Sequence, residues 1–501
     1  MGPPHLMSLL LLVGVILLGA DALRVPLTKR VSTSDAVQVV THDLDEDPYG
    51  FKNLNNVRYT GLIHVSGKPF NVVIDTGSSD LWVDTKGSKL DNITDTGIAG
   101  SIRYVDETGA SGNIKLADVT WGDWTVFSQA FIDAPGANAS SGSVKGILGV
   151  GPPTLSNVDR KLSSSDYDGS SFLESIFTAY QDKPNCITFY LSRNTVGATD
   201  GGLFTISEVL DDFNSILDEP KLPVVSSSRW YTFMDSFLIN GQYYGADTLN
   251  QQSSIEVPEN KTLVLLDTGN SLARAPPFIV DHMYKVPGAF FSQKYQTYIL
   301  PCDTKVNVSI VFGDSEYPIN PLDLTLPYGI RSDESPMCRG TFGYTRNSTS
   351  SDVSLGDVFL RNTYSLFEFG NWTNAGDGEP YIQLLSVTDP EAAWSRFDKM
   401  NQARLDAYVS SKKNTTSSTS ASSSPSRSAS PSDSVKLSGA LGDTDENPDV
   451  STLVRLNYIM FGLLGLVILL LIGTIGIVSS KNRRSQGKSY KPLTLQTPED
   501  Y

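Results

Sequence analysis

Val73-Ile74-Asp75-Thr76-Gly77-Ser78-Ser79 and Leu265-Leu266-Asp267-Thr268-Gly269-Asn270-Ser271 follow one pattern: an apolar run that ends in a carboxylate, a threonine, a glycine and small polar residues. Such a run is a strand that delivers its Asp from a buried layer into a Gly turn, where desolvation of the charge is costly and something must compensate it. A single Asp-Thr-Gly is an ordinary turn, because Asp and Gly are common turn residues. Two copies with the same apolar lead-in, one in each half of the chain, indicate instead two halves that each supply one acid.

The repetition extends further. Lys145-Gly146-Ile147-Leu148-Gly149-Val150-Gly151 follows the first Asp, and Ser354-Leu355-Gly356-Asp357-Val358-Phe359-Leu360 follows the second. On these residues, from Tyr59 to Val387, the chain resembles the pepsin-like aspartic peptidases. The resemblance implies an all-β, bilobal fold of two β-barrel-like lobes with short helices. It also implies catalysis by Asp75 and Asp267, with no metal or cofactor, on a protein or peptide substrate held extended between the lobes. Thr76 and Thr268 match hydroxyls that cross-link the two turns, Gly77 and Gly269 complete the turns, and Ser78 matches a donor to the outer oxygen of its Asp. Asn270 stands where the family usually has Thr or Ser; as a donor itself, it is expected to tune the acidity of the pair.

The chemistry follows from the pairing. Two carboxylates brought close together cannot both ionise easily, so they share one proton, as in aspartic proteases generally. The ionised member can act as general base on a water between them, and the protonated member can stabilise the oxygen that gains charge. Loss of the shared proton as pH rises predicts an acidic optimum.

Ser101-Ile102-Arg103-Tyr104, Val105-Asp106-Glu107-Thr108-Gly109-Ala110-Ser111-Gly112 and Asn113-Ile114-Lys115-Leu116 read as a hairpin with a Gly-containing turn. It resembles the family's flap, with Tyr104 as the flap tyrosine, Asp106 at the tip and Trp82 as the residue that the Tyr104 hydroxyl approaches. Val105 and Glu107 occupy places where glycines are common, which predicts a stiffer, more acidic tip. Cys302 and Cys338 match a disulfide position of the family's C-terminal lobe, permitted in an oxidising compartment. Cys186, in the apolar stretch Asn185 to Leu191, is left as a buried thiol.

Other chemistries find no support in the sequence. The four histidines are His5, His42, His64 and His282, and there is no His-Glu-x-x-His pair, Gly-x-Ser-x-Gly elbow or P-loop. A formal net charge of −16 over 501 residues excludes nucleic acid as a natural partner. Short runs rich in Val, Ile, Thr, Phe and Tyr, such as Gly202 to Ile206, indicate strands, and Ser171 with Glu174 fits a capping box that opens a helix to Tyr180.

The ends of the chain have other roles. Leu9 to Leu18, followed by Gly19-Ala20-Asp21-Ala22, reads as a signal peptide over residues 1–22. Residues 23–50 read as a propeptide in which Lys29-Arg30 is either a processing site or, through Lys29, a partner for the acids. The mature start is expected between Val31 and Asn53. The lobes are assigned to residues 51–222 and 223–395, and residues 396–455 to a stalk, densest in Ser and Thr from Ser410 to Pro431. Leu456 to Val478 is an uncharged apolar run of about 35 Å as a helix, enough to span a bilayer. Lys481, Arg483 and Arg484 follow it, so residues 479–501 form a cytoplasmic tail. In that tail Tyr490-Lys491-Pro492-Leu493 resembles a sorting signal. The sequence therefore predicts a monomeric, single-pass membrane glycoprotein at the cell surface or an endosomal or vacuolar membrane, its enzyme outside the cytosol. Leader, stalk and tail resemble those of fungal members of the family. The alternative is a catalytically silent peptide-binding protein on the same scaffold.

Overall fold

Arg58–Val65 and Lys68–Asp75 form the hairpin that delivers the first acid. Ser66 and Gly67 both have positive φ at its turn, the backbone form whose twist suits a two-residue hairpin. Ile63, Val65, Val72 and Ile74 bury one face of the ribbon. The computed structural model describes residues 39–41, 49–104, 107–193, 198–245, 255–345, 351–373 and 376–418. The expected signal peptide, membrane span and tail lie outside these residues, as do residues 419–455 of the expected stalk. Among the described residues, no helix is long and apolar enough to cross a membrane.

The hairpin belongs to a ten-stranded sheet built from the first half of the chain. Within it Lys68–Asp75 lies parallel to Val144–Gly149, with Asp75 opposite Gly149. The second half repeats this arrangement. Thr262–Leu266 lies parallel to Val353–Leu355, with Leu266 opposite Leu355, in a five-stranded sheet flanked by two of four strands. The repeated sequence is thus a repeated pair of parallel strands, each ending at an acid.

A further five-stranded sheet joins the halves, in the order Gly202–Ile206, Cys186–Leu191, Thr363–Glu368, Tyr381–Ser386, Leu222–Pro223. Its central pairing sets Cys186 opposite Glu368 and Phe189 opposite Ser365. The expected lobe boundary between residues 222 and 223 therefore falls inside a strand of a shared sheet, because the junction is made by long-range ladder bonds and not by a linker. Cys186 is buried there, and burial pushes its thiol up. Phe172–Ala179 is the expected helix, with the Ser171–Glu174 capping box formed.

Three expectations meet the structure at the edges of the lobes. Cys302 and Cys338 are joined as a disulfide. Tyr49, inside the segment assigned to the propeptide, is buried, with its ring edge-on to Trp121 and Phe204. Val39–Thr41 pairs with Trp124–Asp133. Finally, the second lobe does not end at residue 395, since Pro390–Ser418 is one continuous helix. Its own Phe397 and Leu405 are buried, and its Asn401 donates to the Cys302 carbonyl at 2.9 Å. Burial of apolar side chains of this size contributes roughly 1.5–3 kcal/mol each, which holds the start of the presumed stalk on the lobe.

Candidate active site

Asp75 and Asp267 leave their strands from deep in the core. Val73, Ile74, Val264 and Leu266 are buried behind them, and the Asp267 N–H donates to the Leu355 carbonyl at 3.1 Å. The two carboxyl groups lie close enough that the charge of Asp75 acts on Asp267. The glycines make this approach possible: a Cβ on Gly77 would lie 2.6 Å from Asp267 Oδ1, and one on Gly269 would collide with Asp75 Oδ1.

The threonines lock the turns together. The Thr76 N–H donates to Thr268 Oγ1 at 3.1 Å, the Thr268 N–H donates to Thr76 Oγ1 at 3.0 Å, and the Thr268 hydroxyl donates to the Ile74 carbonyl at 2.9 Å. Ser271 adds a hydroxyl donation to the Val57 carbonyl across the same junction. Buried hydrogen bonds of this kind fix two turns that come from opposite halves of the chain.

The two acids are served unequally. Asp75 accepts from the Gly77 N–H at 2.8 Å and from the Ser78 hydroxyl at 2.5 Å. Asp267 accepts from the Gly269 N–H at 2.9 Å. Asn270 does not supply the expected second donor. Its amide nitrogen donates to Ser354 Oγ at 3.0 Å, while its carbonyl oxygen accepts from the Leu272 N–H, so the side chain closes its own turn. Loss of water holds Asp267 above the usual carboxylate range, and the neighbouring charge of Asp75 pushes it further up; the Gly269 N–H and Arg229 oppose this.

Three residues that the sequence reading did not select surround the pair. Arg229 donates to the Gly77 carbonyl at 3.4 Å, and its charge acts on Asp267. Asp357 is buried with no hydrogen-bond partner on either carboxyl oxygen among the described residues, and burial raises it far above the usual carboxylate range. Arg361 opposes this, while the charges of Asp267 and Asp75 raise Asp357 further. Arg361 is held by Asp323 Oδ1 at 2.8 Å and donates to the Asn56 carbonyl at 2.9 Å. Asp357 and Arg361 sit in or beside the second repeated segment, where the apolar repeat drew attention away from a lone Asp. Nothing in the sequence around Arg229 marks it.

Thr94–Arg103 and Gly109–Trp121 form the expected flap hairpin. Tyr104 closes its end through an N–H donation to the Thr108 carbonyl at 2.8 Å, and the Trp82 Nε1–H donates to the Tyr104 hydroxyl at 2.7 Å. Trp82 is fully buried in Leu81–Val83, which pairs with Val144–Gly149, the strand beside Asp75. Tyr104 is thus tethered within the sheet that carries the first acid. Glu107 adopts φ of 69°, a left-handed form in which a glycine would be unstrained. Asp106 and Val105 lie outside the described residues.

Known proteins share this pattern. Residues 58–374 match the family model described as eukaryotic aspartyl protease. A probable aspartic-type endopeptidase CTSD of Arthroderma otae is 27% identical over 59% of this chain and 75% of its own length. The aspartic-type endopeptidase ctsD of Aspergillus fumigatus is 30% identical over 50% of this chain and 47% of its own. Barrierpepsin of Saccharomyces cerevisiae is 25% identical over 65% of this chain and 53% of its own. The matched region holds both Asp-Thr-Gly turns, the Tyr104 hairpin and the disulfide, and this chain belongs to the eukaryotic aspartyl protease family, in the class of aspartic-type endopeptidases.

Proposed function

We propose that this chain cleaves peptide bonds with one water molecule activated between Asp75 and Asp267. Asp267 enters the cycle protonated and Asp75 ionised. Asp75 takes a proton from the water as its oxygen adds to the scissile carbonyl, and Asp267 hydrogen-bonds the oxygen that becomes negative. Collapse of the tetrahedral intermediate, with proton transfer to the departing nitrogen, releases both products. The observation that carries this assignment is the unequal donor set: two donors aimed at Asp75 suit an anion, while the single backbone donor to Asp267 suits the protonated form. Tyr104 and the hairpin that bears it cover the substrate, which lies extended in the cleft with apolar side chains beside the scissile bond. Both acids come from one chain, so a monomer suffices.

The enzyme works on the acid side of the loss of the shared proton, outside the cytosol, tethered through the apolar run Leu456 to Val478 at the cell surface or at an endosomal or vacuolar membrane. The disulfide and the exposure of the sequon residues Asn92, Asn138, Asn260, Asn307 and Asn371 support an extracytosolic, glycosylated domain. The test is acid-dependent cleavage of a denatured protein, blocked by pepstatin and abolished by Asp75→Asn or Asp267→Asn. Turnover that survives either substitution would sink the mechanism. Processed protein that binds peptides without turnover would establish the silent-scaffold alternative.

A further inference from the structure

A cavity of about 450 Å³ lies against the helix Pro390–Ser418, with Arg193, Asp323, Asp389, Arg396 and Arg404 among its walls. None of the residues of the two Asp-Thr-Gly turns lines it. Its negative charges are already engaged. Asp323 accepts from Arg193 Nη2 at 2.6 Å and from Arg361 Nε at 2.8 Å, and Asp389 caps the helix by accepting from the Ala392 N–H at 3.0 Å. Its positive charges are not all matched.

Arg404 is 7% exposed. Its guanidinium donates to the carbonyls of Leu322 and Thr325 at 2.7 and 2.8 Å, to Thr325 Oγ1 at 3.0 Å and to Asn401 Oδ1 at 2.5 Å. All four acceptors are neutral, Nε has no partner among the described residues, and burial lowers this guanidinium to about 10, with Arg361 adding to the fall and the charge of Asp323 opposing it. A buried cation that has only a share of one anion, already paired with two other guanidinium groups, is costly. Arg396 lies on the same helix face, as do Ala392 and Ala393, whose small side chains leave room. Arg396 is exposed and makes no hydrogen bond or ion pair among the described residues.

We propose that this cavity is a binding site for an oxyanion, a carboxylate or phosphate group, received by the exposed guanidinium of Arg396 at the mouth and favoured by the buried charge of Arg404 in the wall. Guanidinium groups match the planar, two-oxygen face of such ligands, and charge-assisted bonds to them are strong. The anion would add counter-charge where Asp323 alone is shared among Arg193, Arg361 and Arg404.

The test uses the full-length chain and its thermal unfolding midpoint, titrated with inorganic phosphate, with citrate, and with chloride at matched ionic strength. A saturable rise with phosphate marks a phosphate-type ligand, and one with citrate alone a carboxylate-type ligand; either supports the site. Arg396→Glu, whose exposed position leaves folding intact, is expected to weaken the apparent affinity by about tenfold or more, and Arg396→Lys by much less. No rise beyond the chloride control with either anion would overturn the proposal. So would a rise that Arg396→Glu leaves unchanged, because the ion would then bind elsewhere.

Discussion

Thr76 and Thr268 each donate a backbone N–H to the other's hydroxyl, at 3.1 and 3.0 Å, so that the two acid-bearing turns are clamped through one reciprocal pair. Thr268→Val keeps the shape but strips the Thr76 N–H and the Ile74 carbonyl of a buried partner. Each orphaned group costs about 1–3 kcal/mol. The variant is therefore expected to lose about 2 kcal/mol or more by denaturant titration. Its kcat should fall about ten- to a hundredfold, because small misplacements of reacting groups are expensive. A stable variant with unchanged kcat would show that the clamp does not align the acids.

Asn270 gives a test of sign. Its amide serves Ser354 and leaves Asp267 with the Gly269 N–H as its donor. Asn270→Ser places a hydroxyl where Ser78 reaches Asp75. A donor to the charged form favours ionisation, so Asp267 should move down toward the ordinary carboxylate range. The descending, high-pH limb of kcat/KM is then expected to shift to lower pH. Arg229→Gln removes a charge that favours ionised Asp267 and should shift the same limb to higher pH. Limbs that move together, or not at all, would separate Asp267 from that limb.

How much of this was legible in the sequence depends on the range of the forces involved. The acids and their turns were legible because a repeated strand-turn pattern fixes them locally, whereas the Tyr104–Trp82 contact was implied only by the family resemblance. The junction sheet was not, since pairing Cys186 with Glu368 is a long-range choice that no local pattern encodes. The helix to Ser418 was hidden by Ser, Thr and Lys residues that read as stalk, whereas Phe397, Asn401, Arg404 and Leu405 bind its first turns to the lobe. Asn270 was read by its chemistry, but its direction is set by a local bond to the Leu272 N–H.

Tyr49 constrains processing. Its carbonyl accepts from Trp121 Nε1 at 3.1 Å and from the Leu62 N–H at 2.9 Å, and its ring is buried against Phe204. Cutting after residue 50 would remove a packed aromatic and orphan two donors, each at about 1–3 kcal/mol. The mature chain is expected to begin before Tyr49, which N-terminal sequencing of the processed protein decides. A mature start at Phe51 or later would contradict it.

Three carboxyls, Asp357 buried and Asp267 and Glu368 half-buried, predict how stability varies with pH. Burial lifts Asp357 and Asp267 well above their ordinary range and Glu368 to about 7. In the unfolded chain all three ionise near pH 4. Above that pH the folded protein binds more protons than the unfolded one, so stability is fully present below about pH 4 and is lost as pH rises through the folded values. Denaturant midpoints should therefore fall between pH 4 and neutrality, the opposite of the behaviour of a protein held by paired carboxylates. Asp357→Asn keeps the shape of the neutral acid and removes its proton linkage, so it should flatten this fall while leaving stability at pH 4 nearly unchanged. An unaltered slope in the Asn variant would mean that Asp357 is already ionised beside Arg361.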